Sequence, residues 1–331
     1  MQLREKPLDS DEKKLEATLL EWLSEFGFAS FGVAVHAATE DKMVLQKTIQ
    51  PQLIHAIEKR FGVSLQFVSP DLVVTLDFRQ KRMEISTKSV FVEGRYNKFS
   101  RDVAQTIHYC RHCRGHGCTE CKNTGKTTAD SVQEIIGRVL VPAFDASEGL
   151  FHGAGREDVD VRMLGTGRPF VFELVQPKKR KADLEELQQR VNTDARVKVK
   201  LLGVVEKTRM QEVKMALHDK VYEAKVESGA PLDHKRLESI VEKPLAVSQQ
   251  TPLRVVKRRA DLLHEKTAQL LGIEWVSDTV FSIKLRTSAG LYVKEFVSGD
   301  SGRTSPSISE LAGAPCVCRE LDVLEIVAPK T

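Results

Sequence analysis

Long apolar runs are missing from this sequence: none approaches the roughly 18 to 20 residues that a membrane-crossing helix requires, so no membrane partner is expected. The opening "SDEKK" is acidic where a secretory signal would be basic and then apolar, and a cytoplasmic location follows as the expectation. Neither sign of charge dominates. The 50 Lys and Arg set against 46 Asp and Glu leave +4, too small a surplus to name a nucleic-acid partner from composition. No repeat or low-complexity tract interrupts the chain, which excludes solenoids and long structureless linkers. Nucleotide-binding loops are lacking too. "TGKTT" has the look of a phosphate loop, but the required earlier glycine is replaced by Glu120 and the segment overlaps a cysteine pair, so no nucleotide cofactor is expected.

What is present is ordinary globular usage, 41% hydrophobic and 29% charged, on a 331-residue chain long enough for two or three units. Leu15, Leu19 and Leu23 recur at a spacing of four behind Asp9 or Ser10, either of which can cap a helix that Gly27 stops. "PQLIHAIEKRFG" places Pro51 at the start of a second helix and Gly62 at its end. Between Asp71 and Tyr96, apolar and polar residues alternate around a charged turn at Arg79 to Arg82, which predicts a hairpin. Residues 1 to about 100 therefore read as a small α+β unit. "DSVQEIIGRVLVPAF" then opens a new globular region with a helix. From Phe170 onward the strands "RVKVKLLGVV", "KVYEAKVES", "FSIKLRT" and "ELDVLEIV" are interspersed with the helices "ADLEELQQRV" and "DHKRLESIVEK". With little strict βαβ alternation, the expected fold is α+β with a mixed, mostly antiparallel sheet.

Four of the six cysteines fall in the pattern Cys110-x2-Cys113-x4-Cys118-x2-Cys121, with none earlier in the chain. Two C-x-x-C knuckles can offer four thiolates to one tetrahedral ion, and Gly115 and Gly117 allow the tight return between them. A structural zinc is the expectation, against disulfide or redox chemistry and against another metal. With all four places filled by sulfur, no position is left for an activated water. Cys316 and Cys318 read as buried apolar residues.

The stretch "GREDVDVR" packs Arg156, Glu157, Asp158, Asp160 and Arg162 into seven residues. Such crowding persists where the charges are paired, solvated or needed. In an extended chain Asp158 and Asp160 share a face, with Glu157 and Val159 on the other. An ion-pair network, covalent or acid-base catalysis, and divalent-metal binding all remain open on these residues alone. In "TSAGLYVKEFVSGDSGRTSPSISEL", Tyr292 and Lys294 lie two apart on what reads as one strand face, offering a flat ring beside a cation that can keep a carboxylate ionised. The clusters "GRYNKFSR", "PKKRKAD" and "RVVKRR" are solvated faces or phosphate contacts.

"GREDVDVRMLGTGRPFVFEL", "TPLRVVKRR" and "GLYVKEFVSGDSGRT", in this order, resemble the archaeal and eukaryotic tRNA pseudouridine synthases called the Pus-ten family. "GREDVDVR" is also similar to the "GRTD" segment, and "GLYVKEFVSGD" to the "GTYIR" segment, of other pseudouridine synthases. Here Leu291 stands in the Thr place. The resemblance covers residues 71 to 328 closely and the earlier part loosely. It implies Asp158 as the required aspartate (nucleophile or base), Tyr292 as the ring on the target uracil and Lys294 as the cation paired with the aspartate. Arg156, Arg168, Arg254 and Arg303, with Tyr292, would bind substrate. It further implies a THUMP-containing RNA-binding domain over residues 1–105 and a catalytic domain over 129–331, with the four-cysteine zinc knuckle read from its spacing lying between them over 106–128. The expected activity is isomerisation of adjacent T-loop uridines in tRNA by a monomer, with no cofactor for catalysis. The rival readings are a non-catalytic RNA-binding zinc protein and a metal-dependent RNA nuclease using Asp158 and Asp160.

Overall fold

The computed structural model describes residues 4–9 and 11–327. Its first sheet contains β1 (Arg4–Pro7), β2 (Ser30–His36), β3 (Ser64–Leu65), β4 (Leu72–Asp77) and β5 (Arg82–Thr87), in the order β1-β5-β4-β2-β3. Helices α1 (Glu12–Leu23), α2 (Thr39–Lys47) and α3 (Ile49–Phe61) connect its strands. Asp11, two residues beyond the expected cap Asp9, caps α1 by accepting from the Lys13 and Lys14 backbone N–H groups; Ser10 lies outside the described residues. Leu15, Leu19 and Leu23 form the buried stripe of α1, and Leu53 and Ile57 that of α3, which Gly62 closes at φ 66°. Both stripes pack on Phe31, Val74 and Ile85 of the sheet. Each such fully buried side chain contributes roughly 1.5–3 kcal/mol. The predicted hairpin is β4 and β5, antiparallel in the register Asp77↔Arg82.

The second part comprises β6 (Val90–Lys98), α4 (Val132–Ala143), β7 (Glu148–Gly153), β8 (Arg162–Val175), α5 (Leu184–Val191), β9 (Val197–Val205), α6 (Lys207–Met215), β10 (Asp219–Ser228), α7 (His234–Glu238) and β11 (Pro244–Gln250). It continues with β12 (Leu263–Trp275), β13 (Val280–Thr287), α8 (Val293–Ser298), β14 (Thr304–Ser305), α9 (Ile308–Ala312) and β15 (Cys316–Val327). Its ten strands run β14-β11-β12-β13-β10-β15-β8-β6-β9, with β7 paired to β8. Every pairing in it is antiparallel except β15 with β8, which is parallel at Asp322↔Arg162 and Val323↔Met163. The expected mixed, mostly antiparallel sheet is what forms.

Four local expectations differ. Strand β6, expected at the end of the first unit, lies inside the large sheet between β8 and β9. Gly94 permits this: a Cβ there would meet Phe170 Cζ and the Lys200 carbonyl at 2.8 Å, so the neighbouring strand and ring close directly over the backbone. The helix expected from Asp233 to Lys243 stops at Glu238, and α2 and α6 form where no helix was anticipated.

Candidate active site

The acidic stretch is a loop between β7 and β8, feeding β8 at its parallel junction with β15. Glu157 is its buried member. Tyr96 donates to this carboxylate, its Oη lying 2.8 Å from both oxygens, and Gln105 Nε2 donates to Tyr96 Oη at 2.8 Å. Arg168 Nε lies 3.0 Å from Glu157 Oε2, a charge contact out of line for a hydrogen bond, while Arg168 Nη1 donates to the Ala154 carbonyl at 2.8 Å. Both side chains are 1% exposed. A buried pair of this kind holds only while both partners remain, so Glu157 and Arg168 tie the loop to β8.

Lys98 anchors the same loop from beneath. Fully buried, it donates from Nζ to the carbonyls of Val103 at 2.8 Å, Val159 at 2.7 Å and Asp158 at 3.3 Å. Burial pulls its pKa down from 10.5 to about 8. Arg101 Nη1 adds a bond to the Asp160 carbonyl at 3.0 Å and its Nη2 pairs with Asp322 at 2.8 Å. Two cations thus grip the backbone of residues 158–160 and leave the Asp158 side chain 43% exposed.

The facing wall is α8 and the segment after β11. Gly290 turns the chain at φ 85°, Tyr292 is the N-cap residue and Lys294 falls in the first turn of α8, so the two project from a helix start and not from one strand face. Gln249 fixes the cap: its Oε1 accepts from Tyr292 N at 2.8 Å, and its Nε2 donates to Tyr292 O and Thr304 Oγ1, both at 3.1 Å. Lys294 Nζ lies 2.8 Å from both Asp160 oxygens and 3.5 Å from Asp158 Oδ2. Burial would raise the Asp160 pKa; the hydrogen bond and charge of Lys294 outweigh it and hold this carboxyl below the ordinary value. Arg254 Nη1 is 3.3 Å from Asp158 Oδ2, its Nε is 2.6 Å from buried Glu295, and its guanidinium stands 5.8 Å from the Tyr292 ring centre. Arg259 donates to Tyr292 Oη at 2.8 Å.

Asp158, Tyr292, Lys294, Arg254 and Arg156 line one cleft of about 780 Å³. Tyr222 on its wall is kept neutral, burial pushing its pKa up to about 12. The four arginines expected to meet substrate divide. Arg156 and Arg254 reach the cleft with exposed or half-exposed side chains. Arg168 also borders it but is locked on Glu157. Arg303 stands outside the lining, donating to the Thr251 carbonyl at 2.8 Å and pairing with Asp261, so it braces the segment that carries Arg254. Gln249 and Glu295 were not singled out from sequence, Glu157 was noted only as a member of the charged stretch, and Lys98, read within "GRYNKFSR" as solvated or phosphate-contacting, is instead fully buried. For Lys98 the signal was there: it shares the strand parity of Val92, Gly94 and Tyr96, the buried face of β6.

Cys110, Cys113, Cys118 and Cys121 place their sulfurs within 4.8 Å of one another and could hold a metal ion. Backbone N–H groups of Gly117, Cys118 and Gly125 point at the Cys113 and Cys121 sulfurs from 3.2 to 3.3 Å, donors that suit thiolates. Gly125, at φ 71°, lies so close to Gly115 that a Cβ would sit 2.4 Å from the Gly115 carbonyl oxygen.

The family described as "Pus10, C-terminal" matches residues 91–327. Proteins named tRNA pseudouridine synthase Pus10 are similar over most of the chain. The one from Methanothermobacter marburgensis is 45% identical over 80% of this chain and 66% of its own length, and that from Methanothrix thermoacetophila 41% over 85% and 63%. The one from Methanocaldococcus jannaschii is 38% identical over 96% of this chain and 73% of its own. The match thus spans just under two thirds of the first two of these relatives. On the extent of both matches, the chain belongs to the Pus10 C-terminal family.

Proposed function

We propose that this protein isomerises uridine to pseudouridine in tRNA, with Asp158 as nucleophile or base. The observation that carries this is the meeting of Asp158 with Arg254 at 3.3 Å and Lys294 at 3.5 Å beside Tyr292, in one basic cleft assembled from three distant segments. The named activity of the relatives agrees with it.

The reaction breaks the N1–C1′ bond of uridine and forms a C5–C1′ bond; N1 gains a proton and C5 loses one, so composition is unchanged. Extruding the base from a structured loop costs a few kcal/mol. Stacking on Tyr292 offsets roughly 1–3 kcal/mol of that. Arg254 and Lys294 pair with the Asp158 carboxylate, and Asp160 holds Lys294 in place. Arg156 and the basic residues of the segment after β11 meet the RNA backbone. The adjacent T-loop uridines are the proposed targets, the first sheet and its helices through Thr87 the proposed RNA-binding accessory part, and a monomer the proposed working form. The four cysteine thiolates suit a zinc that would hold residues 106–128 together and supply no catalytic water. A nuclease using Asp158 and Asp160 is disfavoured because Lys294 already occupies the space between the two carboxylates.

The test is tritium release from 5-tritiated uridine in an unmodified tRNA transcript, read beside chain integrity. Isomerisation without cleavage and without added divalent metal is expected. Cleaved RNA, or binding with no released tritium, would overturn the proposal.

A further inference from the structure

The cysteine knuckle does more than close on itself. A short clasp bounds it, with Tyr109 bridged to Lys126, Thr127 N donating to the His108 carbonyl at 2.8 Å and Cys110 N to the Gly125 carbonyl at 2.8 Å. Inside the clasp Cys110 and Cys121 are buried, while outside it the Tyr109 side chain is 56% exposed and joins no apolar cluster among the described residues. The ring rests on Gly115, where a Cβ would come within 3.1 Å of Tyr109 Cδ1. The knuckle backbone is therefore bare where the ring lies on it. His108, Tyr109, Arg111 and Thr127 all border the cleft that holds Asp158, as do Arg258 and Arg259. An exposed aromatic with no core to fill, set among cations on a substrate cleft, has the composition of a single-stranded nucleic-acid stacking platform.

We infer that the knuckle is a wall of the substrate cleft, and that Tyr109 stacks on an unpaired RNA base near the target uridine while Arg111 meets an adjacent phosphate. This rests on the RNA-modifying function proposed above. The metal held by the four cysteines would then fix a recognition surface, acting on RNA affinity and not on the bond rearrangement. Tyr109 is a binding residue.

The experiment measures affinity for an unmodified tRNA transcript by fluorescence anisotropy, and single-turnover tritium release at saturating protein, on the full chain. Tyr109→Ala is expected to weaken binding about five- to a hundredfold, the span of one lost base–aromatic stack, and to leave the saturated rate within about threefold. Tyr109→Phe, which keeps the ring, should bind like the parent. Arg111→Gln should lower the slope of log affinity against log salt by about one. Bound metal per chain and unfolding temperature should match the parent in all three. Unchanged affinity in Tyr109→Ala overturns the inference, as does a loss that Tyr109→Phe does not restore or that tracks a loss of metal. A parent chain that binds the tRNA without isomerising it removes the catalytic proposal, and a Tyr109→Ala loss of affinity in that chain still upholds the wall.

Discussion

Replacing Lys98 with methionine keeps the apolar stem and removes the ammonium that holds the Asp158 loop. Three hydrogen bonds are lost, to the carbonyls of Val103, Asp158 and Val159. Bonds from a charged donor contribute about 1.5–3 kcal/mol each. Against them stands the cost of burying the charge. The fall of the Lys98 pKa from 10.5 to about 8, multiplied by 1.36 kcal/mol per pH interval, sets that near 3 kcal/mol. The balance is a net loss on the order of 2–6 kcal/mol, which lowers the unfolding temperature by about 10 °C in a unit of this size. Activity should suffer more, because two of the freed carbonyls belong to Asp158 and Val159. A displacement of about 1 Å at a reacting group can cost on the order of a hundredfold.

The pH dependence gives this prediction its sign. A lysine whose folded pKa lies below its unfolded one holds its proton less tightly when folded. Its contribution is fully present above pH 10.5 and lost as pH falls through about 8. Parent and Lys98→Met share every other lysine and tyrosine, so their stability difference isolates the effect. That difference should widen, in favour of the parent, by up to about 3 kcal/mol between pH 8 and 10.5. Chemical denaturation followed by circular dichroism at pH 7.5 and 9.5, with single-turnover tritium release at pH 7.5, tests both parts. A difference that stays flat or narrows with pH would refute the buried ammonium. A turnover within twofold of the parent would refute the positioning of Asp158.

The remaining expectations concern the two walls of the cleft. Asp158→Asn should hold tRNA affinity within about threefold while single-turnover conversion falls by roughly three orders of magnitude; residual activity above about one per cent would remove Asp158 from the chemistry. Lys294→Ala, in a side chain 27% exposed, should lower turnover at least tenfold with an unchanged melting curve. Equal kinetics would show that Arg254 alone suffices. Arg168→Met strands the Glu157 carboxylate and should destabilise the fold by about 3–5 kcal/mol in denaturant titration, with Glu157→Gln added to it restoring part of the loss. The parent is expected to hold one metal ion per chain and Cys118→Ser none, read by mass spectrometry of native protein, with a lower unfolding temperature in the variant.

Where a side chain's role follows from strand parity or spacing, the sequence was readable. The α1 stripe, the β4–β5 hairpin and the four cysteines all follow a short, regular spacing. The mixed sheet was legible from the mingling of strands and helices, but its strand order was not, because alternation records a buried face without naming the neighbour. Strand β6 shows the limit: "VFVEGRYNK" alternates equally well at the rim of a small unit or between β8 and β9. The site divides the same way. Motif resemblance brought Asp158, Tyr292 and Lys294 to attention, and the structure places all three on one cleft. Which arginine is free to meet substrate depends on its pairing partner, Glu157 for Arg168 and Asp261 for Arg303, and no periodic pattern announces those pairs.

Five charges can crowd between Arg156 and Arg162 because the loop sorts them by depth. Glu157 turns inward to a dry pair with Arg168, and Arg162 turns to Asp322, whose carboxyl is held low by these arginine contacts against the opposing effect of burial. Asp158 is left on the cleft and Asp160 exposed beside it, where Lys294 meets both. The buried charges hold the loop through both partners at once, so removing either leaves a stranded ion, whereas the outward ones are only partly shielded and free to change partner when substrate arrives. That sorting gives a mutational rule: isosteric neutralisation at Glu157 should register first in unfolding, and at Asp158 first in turnover, although the two are neighbours in the chain.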